Sequence, residues 1–370
     1  MLQATIMRCI SSILLFIVFT LLSSTSNSRF LKATKSIISA DIGEPSELNV
    51  EELEKILINR KATRFIPGKS QQGRNVEAWF YPGSSNKRAL IIGGMHGSEL
   101  SSIEVAKELQ RQLVADDNIF YNVIIIPSLF PDNAEAAKQN PLLIGGIENI
   151  GRYSNRGAVD PNRQMPTPGL AFDEESCIDH AGRKIEIENT LLLELIDQYR
   201  PQRIINLHAI RIITNAGVFA DPRTDHNGIA LGYASDSSLA IAIAAAIQKK
   251  GGYIPGNHLR KKPTAVYYKD PAPVAPGLFQ KRNLTGSPLP GKRGGGVSFG
   301  TWASTAVCDQ EAPSKNRDAI RLITIEFPGS KRPVDYKKDL RGFYEKQVEL
   351  YAAAIKNVFL GEYFTEESGK

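Results

Sequence analysis

The chain has 370 residues, a formal net charge of +6 at pH 7, 42% hydrophobic residues and 23% charged residues. This composition suits a soluble globular protein with a large core. It excludes a disordered, collagen-like or low-complexity chain.

The first thirty residues differ from the rest. Arg8 precedes an apolar run over 10–22, and small polar residues follow to Ser28. A basic start, a short apolar core and Ser26-Asn27-Ser28 predict a secretory signal peptide over 1–28, cleaved before Arg29. The apolar core falls short of the ~20 residues that span a bilayer, and no later stretch is long enough to cross one. The expectation is an exported protein, periplasmic or secreted, with no integral membrane association once the leader is removed. Cys9 would leave with the leader. Cys177 and Cys308 remain, either as one disulfide or as two free thiols.

Residues 29–61 read as a polar N-terminal extension, with a short amphipathic turn over 50–57. Gly68-Lys69-Ser70-Gln71-Gln72-Gly73-Arg74 predicts a turn between two strands, the second alternating over 76–81 and stopped by Pro82-Gly83. A buried strand over 90–94 follows and ends in Gly93-Gly94. Then come His96-Gly97-Ser98-Glu99 and a helical pattern over 101–113. Residues 122–127 are a continuous apolar run, typical of a strand covered on both faces. Residues 149–169, rich in Gly, Pro, Asn and Arg, read as a loop too polar to join the core.

A helix is predicted over 185–199, with Ile187, Leu191, Leu192, Leu195 and Ile196 on its apolar face. A strand over 203–208 delivers a histidine at its end, and an Ala-rich helix follows over 238–249. Between Gly251 and Gly296 stand Arg260, Lys261, Lys262, Lys269, Lys281, Arg282, Lys292 and Arg293, against a single acidic residue, Asp270. Such a segment is either a solvated loop or a rim attracting an anionic substrate. Nucleic acid is not expected as a partner, because aromatics are not interleaved with the charges. A strand over 320–327 carries Glu326 among apolar neighbours, a closing helix falls within 334–359, and 361–370 is a polar tail. This alternation predicts a single α/β domain over 62–360, with a mixed, mostly parallel central sheet flanked by helices.

His96 with Glu99, His208 and Glu326 all fall at C-terminal ends of predicted strands, the edge where open α/β sheets bind ligands. Two imidazoles and a carboxylate make a three-ligand zinc site with a fourth position open. A further carboxylate in an apolar setting suits a general base. For a lone histidine or glutamate the bland alternative is a structural partner.

Together these pieces resemble the zinc metallocarboxypeptidases of the carboxypeptidase A-like family, especially the bacterial cell-wall peptidase and amidase branch. The Gly68–Arg74 turn resembles the family's early Gly-x-Ser-x-x-Gly-Arg turn. Gly94-Met95-His96-Gly97-Ser98-Glu99 resembles the segment holding the first two metal ligands. Val159-Asp160-Pro161-Asn162-Arg163 resembles its Val-Asp-x-Asn-Arg segment, and Asn206-Leu207-His208 the third ligand. Phe299-Gly300-Thr301-Trp302 resembles a late Gly/Trp turn, and Thr324-Ile325-Glu326-Phe327-Pro328 the catalytic glutamate. The resemblance runs from Arg64 to Pro328.

It implies one Zn²⁺ held by His96, Glu99 and His208, with Asp160 orienting His96. Glu326 would be the general base. Asn162 and Arg163 would bind a terminal carboxylate, for which a planar guanidinium is suited. For the arginine that stabilises the oxyanion, Arg156 and Arg152 are both candidates, with Arg156 preferred and Ala158 looking like an extra residue. The implied substrate is a peptide with a free carboxylate, a muropeptide among the options. An N-acyl amino-acid deacylase resembling the aspartoacylase and succinylglutamate desuccinylase group shares several of the elements. The early turn and the Gly/Trp turn favour the peptidase. A catalytically silent peptide-binding module would lack a ligand or the base, and none is missing.

Two departures bear on substrate choice. The capping Tyr of the digestive members has no counterpart near 291–296, where only Tyr267 or Tyr268 could substitute. Gln164 and Met165 replace the usual Asn and aromatic after the arginine.

Overall fold

The apolar runs of the sequence become the strands β1 (Thr63–Lys69), β2 (Asn75–Tyr81), β3 (Arg88–Ile92), β4 (Asn122–Ile126), β5 (Arg203–Ile210), β6 (Gly217–Ala220) and β7 (Arg321–Pro328). They lie in one sheet of order β1-β2-β4-β3-β5-β7-β6. The computed structural model describes residues 62–115, 118–154, 158–259, 295–330 and 340–362. All of these fall in one compact unit, Asn59–Lys370. The expected leader, the N-terminal extension, most of the tail and most of the basic segment lie outside the described residues.

The four central strands, β4-β3-β5-β7, pair in parallel, while the β1–β2, β2–β4 and β7–β6 pairs are antiparallel. The sheet is therefore mixed and mostly parallel at its centre, as expected. Parallel strands need helical crossovers that cover both faces, which is why β5 and β7 are buried almost end to end. One face packs on α1 (Leu100–Ala115), α4 (Ala234–Lys249) and α6 (Leu340–Ala354). Val105, Leu109, Leu239, Ile243, Ile247 and Tyr351 meet Ile91, Ile205, Leu207, Ile323 and Ile325 there. On the rest of the fold, α3 (Ile187–Tyr199) packs on β1 and α5 (Phe299–Ala303) packs on β7. A further helix, α2 (Pro131–Gln139), follows β4.

Several expectations need correction. The apolar face of α3 is Leu192, Leu193, Leu195 and Ile196, together with the buried Glu188 and Asn189; Ile187 is exposed. Helix α4 begins at Ala234 rather than 238. Its first turn is anchored by a polar contact that periodicity does not reveal: the buried Asp236 accepts hydrogen bonds from Arg223 Nε at 2.8 Å and Arg321 Nε at 2.7 Å. The 149–169 loop is not excluded from the core, since Met165 and Gln164 are buried, and Pro161–Arg163 forms a 3-10 turn. Cys177 and Cys308 are free thiols. Among the described residues, no helix is long and apolar enough to cross a membrane.

The turn after β1 is tied across the fold by carboxylates. Asp132, in the first turn of α2, accepts from Ser70 Oγ (2.8 Å), the Gln72 amide (2.8 Å) and Arg74 (2.7 Å). Glu188, in the first turn of α3, accepts from the Gln71 amide at 3.2 Å. Burial pushes the Glu188 carboxyl up to about 7, with Glu186 and Asp132 adding to the shift and the Gln71 amide opposing it. Its Oε2 has no partner among the described residues. A carboxyl raised in the folded state favours folding below its unfolded value of 4.5, and that contribution is lost as pH rises through about 7. Glu188→Gln, which cannot ionise, should therefore lose less stability than the parent between about pH 5 and about pH 8. Urea unfolding across this range checks it, and identical pH slopes for the two proteins would contradict it.

Candidate metal centre

Three parallel strands end at one edge of the sheet, and each delivers part of the site. After β3 the chain turns through Gly93-Gly94, with Gly94 at φ +63°, a backbone conformation that side chains disfavour. The turn is closed by Glu99 N donating to His96 O (3.0 Å) and by Ser102 Oγ bridging from Glu99 O (2.7 Å) to Gly94 N (3.1 Å). Glu99 immediately precedes α1, where the positive end of the helix favours a carboxylate. Ser101 Oγ donates to Gly329 O (2.8 Å), which ties this helix start to the chain just beyond β7.

Gly97 sits between the two candidate ligands. A Cβ built there would run into the backbone of Asn133 and Ala134 at the start of α2, so only glycine lets the turn approach so closely. His208 arrives near the end of β5, and in the β5–β7 register it lies directly opposite Glu326.

His96, Glu99 and His208 are buried, and each offers one ligand atom within 4.8 Å of the others. Glu99 Oε1 lies 2.9 Å from His96 Nδ1, and Oε2 lies 2.9 Å from His208 Nδ1. Oε2 also accepts from the Ala209 amide at 3.0 Å. On the far side of His96, Nε2 lies 2.8 Å from Asp160 Oδ1, so that carboxylate holds a proton on Nε2 and leaves Nδ1 to face Glu99. Two imidazole nitrogens and a carboxylate converging with their rings held from behind are a donor set that fits a transition-metal ion.

The electrostatics follow from this crowding. Burial pushes His96 down, but Glu99 and Asp160 outweigh it and carry the imidazole up to about 9, with Arg152 opposing them. Burial would raise Glu99 and Asp160, yet the facing imidazoles hold Glu99 well below the usual carboxylate range, and His96 and Arg152 do the same for Asp160. In the metal-free protein His96 thus holds a proton at neutral pH, which a metal ion must displace.

Arg152 donates to Glu99 Oε1 at 2.6 Å and lies 3.5 Å from Asp160 Oδ2. Burial lowers its guanidinium, while Glu99, Asp160, Tyr153 and Glu326 raise it above its ordinary value. Arg156, the other candidate, lies outside the described residues. Ser154 N bonds Val159 O at 2.8 Å, and Ala158 has φ +52°.

Asn162 and Arg163 follow Asp160 in the 3-10 turn. Asn162 Nδ2 lies 3.5 Å from His208 Nε2, and its Oδ1 accepts from the Phe299 amide at 3.2 Å. Arg163 donates to Asn162 O at 2.8 Å. Arg183, which the motifs did not single out, braces this turn by donating from NH2 to Arg163 O and Gly295 O, both at 2.9 Å, while its Nε pairs with Asp179 at 2.7 Å. The structure thus gathers His96, Glu99, His208, Asp160 and Arg152 by direct contact. It sets Glu326 in register beside them and Asn162 against His208.

No protein-family model matches the chain, and no curated protein matches it. Solved structures do. Carboxypeptidase A from Helicoverpa armigera shares 16% identity over 83% of this chain and 73% of that one, with a TM-score of 0.47. Murein-tripeptide amidase MpaA from Escherichia coli O157 shares 15% over 83% and 93%, at 0.42. A metallo-carboxypeptidase from Burkholderia cenocepacia shares 14% over 84% and 68%, at 0.43. The likeness is to carboxypeptidase-like folds. At these identities it concerns fold alone and leaves the chemistry to the residues of the site.

The closeness of Gly97 to α2 yields a test. Gly97→Ala should displace His96 and Glu99 and weaken metal binding by at least about tenfold. Gly342→Ala, where a Cβ meets nothing within 4 Å, should leave it unchanged. Metal titration of both variants checks this, and equal affinities would contradict it.

Proposed function

We propose that this chain is a zinc-dependent metallopeptidase that hydrolyses an amide bond near a free carboxylate. The observation that carries the proposal is the arrangement of Glu99 between two histidine Nδ1 atoms, with Glu326 opposite His208 in the strand register. His96, Glu99 and His208 would hold the ion. Zinc in such a site supplies a Lewis acid that polarises a carbonyl and lowers the pKa of water toward about 7.

The chain's own groups do the rest. Glu326, 9% exposed on the last parallel strand, takes a proton from the attacking water as the C–O bond forms. It then delivers that proton to the nitrogen as the C–N bond breaks, and with the water's second proton also ending on that nitrogen, one amide and one water give one carboxylate and one ammonium. Arg152 stands beside Glu99, where its fixed positive charge favours an oxygen gaining negative charge. Asp160 keeps His96 in the tautomer that presents Nδ1. Asn162 and Arg163 bind the carboxylate of the substrate, held in place through Asp160, Phe299 and Arg183.

The substrate class we propose is peptides ending in a free carboxylate, peptidoglycan stem peptides among them. The predicted leader supports an exported, periplasmic or secreted, location. The resemblance of the motifs to the cell-wall peptidase branch supports the same reading.

The test compares the full chain with Glu326→Gln, each assayed for bound zinc and for hydrolysis of a peptide with a free C-terminus and its C-terminal amide. The parent should bind one zinc and cleave the free-carboxylate peptide far faster than the amide. Glu326→Gln should keep the zinc and lose at least about 100-fold in rate, in keeping with general-base catalysis. Loss of metal in Glu326→Gln would make it a ligand. Equal cleavage of the acid and the amide would remove the carboxylate requirement.

A further inference from the structure

Two helices carry the same pair of buried residue types in their first turn, an acid followed by an asparagine. In α2 the pair is Asp132 and Asn133, and in α3 it is Glu188 and Asn189. The two acids hold one segment between them, the turn after β1. Glu188 accepts from the Gln71 amide, and Asp132 accepts from the next amide, Gln72, together with Ser70 Oγ and Arg74. The asparagines hold two other segments. Asn133 Nδ2 donates to Tyr153 O at 2.7 Å and to Gly151 O at 3.4 Å, the carbonyls on either side of Arg152. Asn189 Nδ2 donates to Pro161 O at 2.9 Å and to Gln164 Oε1 at 3.4 Å, the residues on either side of Asn162 and Arg163.

One turn, gripped by two acids, is thus linked through two neighbouring asparagines to both segments that bear the site's arginines. Each asparagine adjoins its acid in a helix, so what the turn fixes is carried across one planar peptide link rather than through a loop. The chemistry gives a reason for such a linkage. In a peptide cleaved at its last amide bond, one nitrogen and one α-carbon separate the scissile carbonyl from the terminal carboxyl. The protein groups that meet those two ends must keep a matching spacing, and a misplacement of about 1 Å can cost about 100-fold in rate. Arg152 and the Asn162–Arg163 turn come from different stretches of the 149–169 loop, so a common support for both would hold that spacing.

We infer that the Gly68–Arg74 turn is a brace that fixes the spacing of the two proposed anion-binding groups, with Asn133 positioning Arg152 and Asn189 positioning Asn162 and Arg163. Both asparagines are positioning residues, acting through the segments they hold. The inference rests on the peptidase reading, which gives Arg152 the oxygen gaining charge and gives Asn162 and Arg163 the substrate's carboxylate. The two arms of the brace therefore differ in what they control. Loosening the Asn189 arm weakens binding of the carboxylate, whereas loosening the Asn133 arm weakens an interaction made in the transition state.

The test measures kcat and KM per bound zinc for a free-carboxylate peptide with the full chain, Asn133→Ala and Asn189→Ala. Asn189→Ala should raise KM at least about tenfold with kcat within about twofold, and Asn133→Ala should lower kcat at least about tenfold with KM within about twofold. Glu188→Ala should raise KM in the same direction as Asn189→Ala. Glu188→Gln, whose amide oxygen can still accept from the Gln71 amide, should restore it. Calorimetry adds a binding arm on the zinc-loaded Glu326→Gln protein. There Asn189→Ala should weaken the free-carboxylate peptide at least about tenfold and leave its C-terminal amide unchanged. The same split in both asparagine variants, or an unchanged KM in Asn189→Ala, overturns the brace while leaving the peptidase standing. Where an asparagine variant does not fold, equal KM for Glu188→Ala and Glu188→Gln overturns the brace. A parent that cleaves no peptide overturns the peptidase, and the brace then stands or falls on the binding arm, where equal losses for the acid and the amide overturn it.

Discussion

A single carboxylate joins two distant parts of this chain. Glu99 presents one oxygen to His96, three residues before it, and the other to His208, 109 residues after it. Nothing else about the site works unless that carboxylate is fixed. It is buried beside two imidazoles and a guanidinium, and burying a charge is unfavourable unless partners and hydrogen bonds surround it. Here the Ala209 amide, Arg152 and the start of α1 complete the surround. Glu99 is therefore ionised, and both histidines are drawn toward it.

The sheet makes this meeting possible. Parallel strands aim all their C-terminal ends at one edge, so β3, β5 and β7 can each deliver a side chain to it despite their separation in sequence. The register does the fine placement, with His208 level with Glu326. At the opposite end of the same strands the buried Arg203 and Arg321 carry structural loads. Arg203 donates to Phe359 O at 2.7 Å at the end of a π-helical turn, Ile355–Phe359, and lies over the Tyr121 ring at 3.9 Å. Arg321 meets Asp236. One end of the sheet holds charges that close the fold, and the other gathers the candidate metal ligands.

Much of this was legible in the sequence where a physical pattern is local. Continuous apolar runs marked β3, β4, β5 and β7, because strands covered on both faces have no polar positions to spare. His96, Glu99, His208 and Glu326 could be singled out because each stands at the end of such a run. What was not legible depends on contacts across the chain. Strand β6 is only four residues, Gly217 to Ala220, and is a strand because β7 offers it an edge. Helix α2 is polar and starts at a proline, and Asp132 holds its first turn to a segment sixty residues earlier. Met165 and Gln164 are buried in a loop whose composition says surface. The choice between Arg152 and Arg156 could not be made from spacing, since the Arg152 contact with Glu99 Oε1 joins residues 53 apart in sequence.

The central claim is that the edge of the sheet holds one metal ion between the two Nδ1 atoms and Glu99. Anomalous diffraction from zinc-loaded crystals at the zinc absorption edge tests it most directly. The account predicts one peak about 2.0–2.2 Å from His96 Nδ1, His208 Nδ1 and a Glu99 oxygen, with Glu326 outside bonding distance. A peak ligated by Glu326, a peak elsewhere in the molecule, or histidines ligating through Nε2 would contradict it.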